Sequence, residues 1–378
     1  MDTSTAANGV FVAQGNRFAT ASIAQIIFVG SSTAESGVFT CEAASVSGGI
    51  GGLLKFDDIG STAADAVITL QGATVSGAGS GFAQFFGSST AGNSKITATA
   101  AATGASPASV EFAGDSTGGA AQISLASNTQ LIVSAHRLPG VAVGSVDGSG
   151  NIILGTSTTA GRKLTVGTNN LEMAISGTIS DGGNAGSIIK AGTGRLTLSG
   201  ASTYTGGTTL SAGTLSVTNR TGSATGTGAV QVAAGTLGGS GIIAGPVTIA
   251  TGSVASFLAP ALGSSRQATL TIQDALTFNP ASTYAHSFKA KGNQTKADSV
   301  VANGVTIASG ATVTFRGMIQ GTLPAGLVIS LISNTSASPI SGTFSNLADG
   351  AIATISGNNF QADYEGGDGN DLTLTVVP

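Results

Sequence analysis

The chain has 378 residues, of which only 8% are charged and 58 are Gly, with no Trp. A typical soluble domain is roughly 25% charged. Hydrophobic residues make up 41% and the mean hydropathy is +0.34, which excludes a disordered linker, because disorder goes with low hydrophobicity and high charge. The formal net charge is −4 and the 14 basic residues are scattered along the sequence, so nucleic acid and anionic membrane are poor partners. Apolar runs are two to four residues long, as at 26–29 and 152–154; a membrane-spanning helix needs ~18. What remains is a folded, all-β chain.

Residues 1–25 are polar and show no clear repeat; they are expected to form an N-terminal cap or a docking segment. Residues 1–22 include Arg17 but lack the apolar run of a secretory leader. From residue 26 a repeat begins. Phe28-Val-Gly-Ser-Ser-Thr-Ala34 recurs from Phe56, Phe86 and Phe112, at a nearly even interval. Each copy is followed by a short alternating strand, for example Ala66-Val-Ile-Thr-Leu70. A period of about 20–30 residues with strand, turn and strand marks a β-solenoid, whose coils bury their apolar faces only by stacking. This form runs over 26–128, and residues 129–184 continue it with looser spacing.

From 185 the repeat changes. The stretch 185–217 holds three short strands in which Leu196, Leu198, Leu210, Leu215 and Val217 alternate with Thr and Ser, the period-two pattern of half-buried strands. Related strands follow to about 317. Residues 318–378 are more continuously apolar, with Leu327-Val-Ile-Ser-Leu-Ile332 at their head; they are expected to cap the last coil and blunt its edge. With about 20 residues per coil, the chain would make roughly 18 coils. Like residues then stack in ladders, Val, Ile and Leu inside and Thr and Ser outside, where like charges would repel.

The sequence from Lys190 through Gly192, Gly194, Leu196, Leu198, Tyr204, Gly206, Gly207, Gly213 and Leu215 to Val217 resembles the passenger-associated repeat of bacterial autotransporters, with Ser202 where that family usually has Asn. The resemblance is specific over about 185–275 and looser over 26–128. It implies a right-handed parallel β-helix, exported to the bacterial cell surface or beyond, with adhesive, surface or matrix roles, in which the repeat itself adds no active site. No membrane-embedded barrel of the kind that usually follows a passenger is expected within these 378 residues, and the ending from Tyr364 to Pro378 resembles chains that continue into a Val-Pro-Glu-Pro sorting tail.

Candidate chemistry is sparse. Gly366-Gly-Asp-Gly-Asn-Asp371 resembles one calcium-binding nonapeptide, in which Asp368 and Asp371 would supply oxygen ligands. Such sites need successive copies, and a tight acidic turn is the plainer reading, so no cofactor is expected. Asp57, Asp58 and Asp65 form the one close carboxylate group of the N-terminal half. Clustered carboxylates serve polysaccharide-cleaving β-helices, but an insertion loop at a coil corner is the better account. His136 and His286 lie far apart and show no triad pattern. Cys41 is alone and reads as a small buried apolar residue. The Gly-rich segment 77–81 is a corner with no phosphate-binding Lys behind it. Tyr204 is expected to pack at a corner instead of stacking on sugars. The sequence therefore points to a non-enzymatic structural or adhesive solenoid that self-associates and can contact cell surfaces or polysaccharide. A polysaccharide-binding or polysaccharide-cleaving β-helix is the alternative.

Overall fold

The computed structural model describes residues 3–263 and 266–378, and among these it contains strands and turns but no helix. They form two compact units. The first comprises Met1–Leu196 with Ser202–Gly206, the second Thr197–Ala201 with Gly207–Pro378.

In the first unit the chain winds in coils whose strands stack in parallel. One stack runs Val10–Ala13, Val38–Cys41, Val67–Leu70, Lys95–Ala98 and Gly118–Leu125. A second runs Gln25–Phe28, Leu53–Phe56, Phe82–Phe85, Ala108–Phe112, Thr129–Ile132, Asn151–Ile153 and Ile179–Ser180. A third side is a column of single parallel bridges through Thr5, Thr33, Thr62, Thr90 and Thr117. One full coil separates each of these threonines from the next, at an almost constant interval. The coil is longer than the strand count of the sequence suggested, because three sides and their corners consume more chain. The solenoid accordingly makes about 11 turns, fewer than expected.

The repeated Ser-Thr-Ala now has a physical account. In the first four of these threonines Oγ1 accepts the N–H two residues on: Ala7 onto Thr5 (3.0 Å), Glu35 onto Thr33 (3.1 Å), Ala64 onto Thr62 (3.0 Å) and Gly92 onto Thr90 (3.1 Å). These are local side-chain turns of the kind Thr favours. They hold a left-handed residue at every corner, with φ of 47°, 46°, 47° and 59° at those four positions. The Ala between, at 34, 63 and 91, is fully buried. Asp57 and Asp58 sit in the one copy with an extra residue between its Phe and its Thr, and Ile59 is pushed out into solvent.

Inside, like stacks on like. The register aligns Phe28, Phe56, Phe85 and Phe112, and their rings stack at 4.8, 5.0 and 5.0 Å with interplanar angles of 9°, 4° and 12°. These distances match the spacing of hydrogen-bonded strands. The repeat is therefore phased on Phe85, and the sequence alignment on Phe86 was off by one. In a strand such a slip turns a side chain to the opposite face, and Phe86 is 44% exposed while Phe85 is buried. Cys41 stacks in register with Ala13 and Leu70. Residues 1–25, expected to lack a coil, already contribute Thr5 and Val10–Ala13 to the first one.

The second unit repeats the three-sided plan with uneven coils. Leu210, Val232, Ile249, Phe278 and Ile307 align in one stack although their spacing along the sequence is irregular. Strand polarity then changes. Val328–Asn334 runs parallel to Ser299–Ala302 on one side and antiparallel to Asp371–Val377 on the other. Asn358–Gly366 and Ile352–Ile355 continue as an antiparallel meander. From this last segment Phe344 packs on Phe278 (5.2 Å) and Phe360 on Phe288 (5.7 Å). Met318, placed by the sequence reading at the start of the cap, still belongs to the parallel strand Thr312–Gln320.

Two substitutions test the ladder. Phe56→Ala is expected to destabilise by about 3–5 kcal/mol, the usual cost of emptying a buried aromatic site, read as a lower denaturant midpoint. Ser89 is fully buried and its Oγ has no partner. Ser89→Ala should leave the midpoint unchanged or raise it, since an unmade buried hydrogen bond is itself a cost.

Candidate functional site

The 185–217 stretch is built from packing and corner residues. Leu196, Leu198 and Leu215 are buried, and Tyr204 is fully buried, so its ring offers no surface for stacking a sugar. Gly192 has φ +65°, and a Cβ there would fall 2.0 Å from the Gly167 carbonyl oxygen. Gly194 and Gly206 sit as close to the backbone of the preceding coil, at Leu171 and Ala185. Gly207 and Gly213 take φ of +86° and +74°. Ser202, the departure from the family pattern, accepts the Ile179 N–H on its Oγ (3.3 Å) and so keeps a polar link between coils.

Lys190 is the unusual member. Its side chain is buried, and its Nζ donates to the carbonyls of Ala191 (2.5 Å) and Gly192 (2.8 Å). Burial pushes its pKa down to about 8. The ammonium thus fastens the turn that Gly192 makes.

Asp181, which the sequence reading did not single out, holds the same corner region. Its Oδ1 accepts the Gly183 N–H (2.8 Å), and its Oδ2 accepts the N–H groups of Gly186 (2.8 Å) and Thr205 (2.7 Å) and the Thr205 hydroxyl (2.8 Å). Burial works to raise its pKa, but the Thr205 and Gly183 donors and their neighbours outweigh it and hold the carboxyl below its ordinary range. Asp298 was missed in the same way. It is buried and accepts the Ala268 N–H (3.0 Å), the Ser287 N–H (3.2 Å) and the Ser287 hydroxyl (2.5 Å). In sequence each is one isolated Asp beside small residues, with no signal beyond the preference of Asp for turns.

The remaining candidates do not converge. His136 lies between the carbonyls of Arg137 and Ser116, 2.7 Å from each. His286 is buried among Tyr284, Phe288 and Phe315, and burial pushes its pKa down to about 3. Its Nδ1 is 3.2 Å from the Tyr284 hydroxyl, which donates to the Leu331 carbonyl (2.8 Å). Asp57 pairs with Lys55 (2.6 Å), while Asp65 accepts from Asn93 (3.1 Å). Asp58 takes φ +77° at a coil corner. Burial raises the Cys41 thiol to about 12, so almost no thiolate is present at neutral pH.

Asp368 lies within a β-hairpin turn and Asp371 opens the strand that follows it. Asp368 is exposed, and Asp371 Oδ1 accepts the Asn334 N–H (2.8 Å). Among the described residues no three His, Cys, Asp or Glu side chains gather in a metal-ligating group. No helix among them is long and apolar enough to cross a membrane.

What the geometry defines is a parallel β-solenoid. Residues 188–217 match the family model of the passenger-associated-transport-repeat, and no curated protein matches the chain. Repeat and architecture together support an autotransporter passenger-type β-helix.

Two outcomes check these assignments. Asp181→Ala leaves four donors without their acceptor and is expected to lower stability by about 3 kcal/mol or more, seen in chemical denaturation. His286 is neutral in the fold, whereas in the unfolded chain it protonates near pH 6.5. Its stabilising contribution is complete above pH 6.5 and falls as the pH drops towards 3, by up to about 1.4 kcal/mol per pH unit. The difference in unfolding free energy between wild type and His286→Phe should follow that slope and be flat above pH 7.

Proposed function

We propose that the chain is a non-enzymatic extracellular scaffold, displayed on a bacterial surface or shed into a matrix, where it acts in adhesion. One observation carries this reading: the buried charged side chains Asp181, Asp298 and Lys190 are engaged in holding the backbone. Asp181 and Asp298 tie turns to neighbouring coils, and Lys190 closes a corner. The outward faces carry uncharged ladders, such as Thr40, Thr69, Thr97 and Ser124 in register. The passenger-associated repeat at 188–217 supports export, since that family is one of surface and secreted proteins. Self-association is supported by the apolar row Val10, Phe11 and Val12, exposed by 76, 36 and 48% on the first strand. The rival reading, polysaccharide cleavage, requires paired carboxylates. The obvious set, Asp57, Asp58 and Asp65, is divided between an ion pair, a corner and an amide contact.

Displaying the chain on a non-adherent bacterial host is expected to promote clumping or attachment to surfaces. The purified protein should release no reducing ends from polysaccharides. Sugar release, or display without any gain in attachment, would overturn the proposal.

A further inference from the structure

The coil strands of the second unit are mostly short, but two of them outgrow the solenoid. Ser282–Lys291 spans 10 residues and Thr312–Gln320 spans 9, paired in parallel along their length. Gln294–Ala297 folds back antiparallel to the first, so the three make a small flange of sheet. Its two faces differ. His286, Phe288 and Ala290 point to the buried side, where Phe288 meets Phe360.

The other face is basic. Lys289 lies directly opposite Lys296 on one neighbour and Met318 on the other, and Lys291 lies opposite Gln294 and Gln320. Arg316 pairs with Ser287, two positions along the same row. Lys291, Lys296, Arg316, Met318 and Gln320 are exposed, and Lys289 is half-buried. Arg266 and Gln267 border the same surface, lining a shallow depression with Lys289 and Lys296. A second depression, lined by both lysines together with Lys291, Gln294 and Gln320, adjoins it. Five of the chain's 14 basic residues therefore meet here, three of them from residues 289–296 and two, Arg266 and Arg316, from further along the chain on either side.

Acidic residues are scarce around Lys289, Lys291, Lys296 and Arg316. Between residues 275 and 348 the sequence holds one acidic residue, Asp298, which is buried with both oxygens accepting hydrogen bonds. Neither described ion pair involves Lys289, Lys291, Lys296 or Arg316. Like charges directly across a sheet are destabilising, so the Lys289–Lys296 pair works against the fold.

We infer that this face binds an acidic polysaccharide, with the lysines and Arg316 meeting its carboxylate or sulfate groups and the amides of Gln294 and Gln320 its hydroxyls. Lysines in a strand repeat about every 7 Å along it and about 5 Å across it, a two-dimensional array suited to a polymer with recurring charge. Single-stranded nucleic acid calls for aromatic platforms, and this face has none. The inference rests on the adhesive reading above and names its ligand.

The full chain is tested by biolayer interferometry against immobilised polygalacturonate, heparin, neutral dextran and a short duplex DNA. Binding is expected to polygalacturonate or heparin, weakening as salt rises, with none to dextran. Lys289→Gln/Lys296→Gln should weaken it at least tenfold, and Lys289→Arg/Lys296→Arg should retain it. The exposed Lys95→Gln, in the other unit, should change nothing. Because the Gln pair removes a repulsion, its unfolding midpoint should not fall, and this separates lost binding from lost structure. Equal binding by the Gln pair would overturn the inference. So would aggregation of that pair with undiminished binding, which would make the lysines guards of a sheet edge, or tighter binding to DNA than to either glycan. Failure here with attachment of displayed cells intact would remove the ligand and leave the scaffold reading standing.

Discussion

The fixed spacing between hydrogen-bonded parallel strands governs this molecule. Neighbouring coils cannot approach closer or stand further apart than about 4.8 Å, so each side chain is presented to its counterpart one coil away. Four Phe rings stacked at 4.8–5.0 Å are one consequence, and the column of Thr bridges is another. A charged ladder at that distance would repel along its whole length, which accounts for a chain with 8% charged residues. The composition follows from the stacking.

The same constraint decides where backbone freedom is needed. Corners must turn in little space and lie against the corner below. In the N-terminal coils a Thr hydroxyl holds each corner and even Ala and Glu accept a left-handed φ. In the passenger repeat, Gly192 does so against the Gly167 carbonyl, with the Lys190 ammonium closing the turn. Asp181 gathers four donors from 183, 186 and 205. Different residue chemistry thus solves one problem: satisfying polar backbone where strand pairing stops.

Much of this was legible because periodicity in sequence is periodicity in space. The Phe-led repeat and the Leu-Thr-Leu alternation announced stacked strands, and the family pattern from Lys190 to Val217 named the type of coil. The phase was harder. Phe85 and Phe86 are adjacent and identical, and only pairing shows which one faces inward. Coil length also escaped, since a count of strands does not show how many sides a coil has. Asp181 and Asp298 were invisible because their partners are mostly N–H groups, which every residue but proline carries. The basic face was hidden by register: only the hairpin sets Lys289 against Lys296, and only the parallel pairing brings Arg316 into the same row.

A strictly repeating solenoid has little room for a specific ligand, because any residue placed on an outward face must tolerate its counterpart one coil away. Specific chemistry is therefore easiest to place where the repetition is broken. The flange formed by Ser282–Lys291, Gln294–Ala297 and Thr312–Gln320 is such a place: its strands run on past the coil and its outward residues have no ladder to satisfy beyond three strands. Lys289 can face Lys296 there, in an arrangement that would be prohibitive if propagated through every coil. The rest of the second unit supplies what the flange needs, a rigid buried side anchored by Phe288 and Phe360. In this chain the regular coils provide position, and the departure from regularity provides a place where like charges can stand side by side.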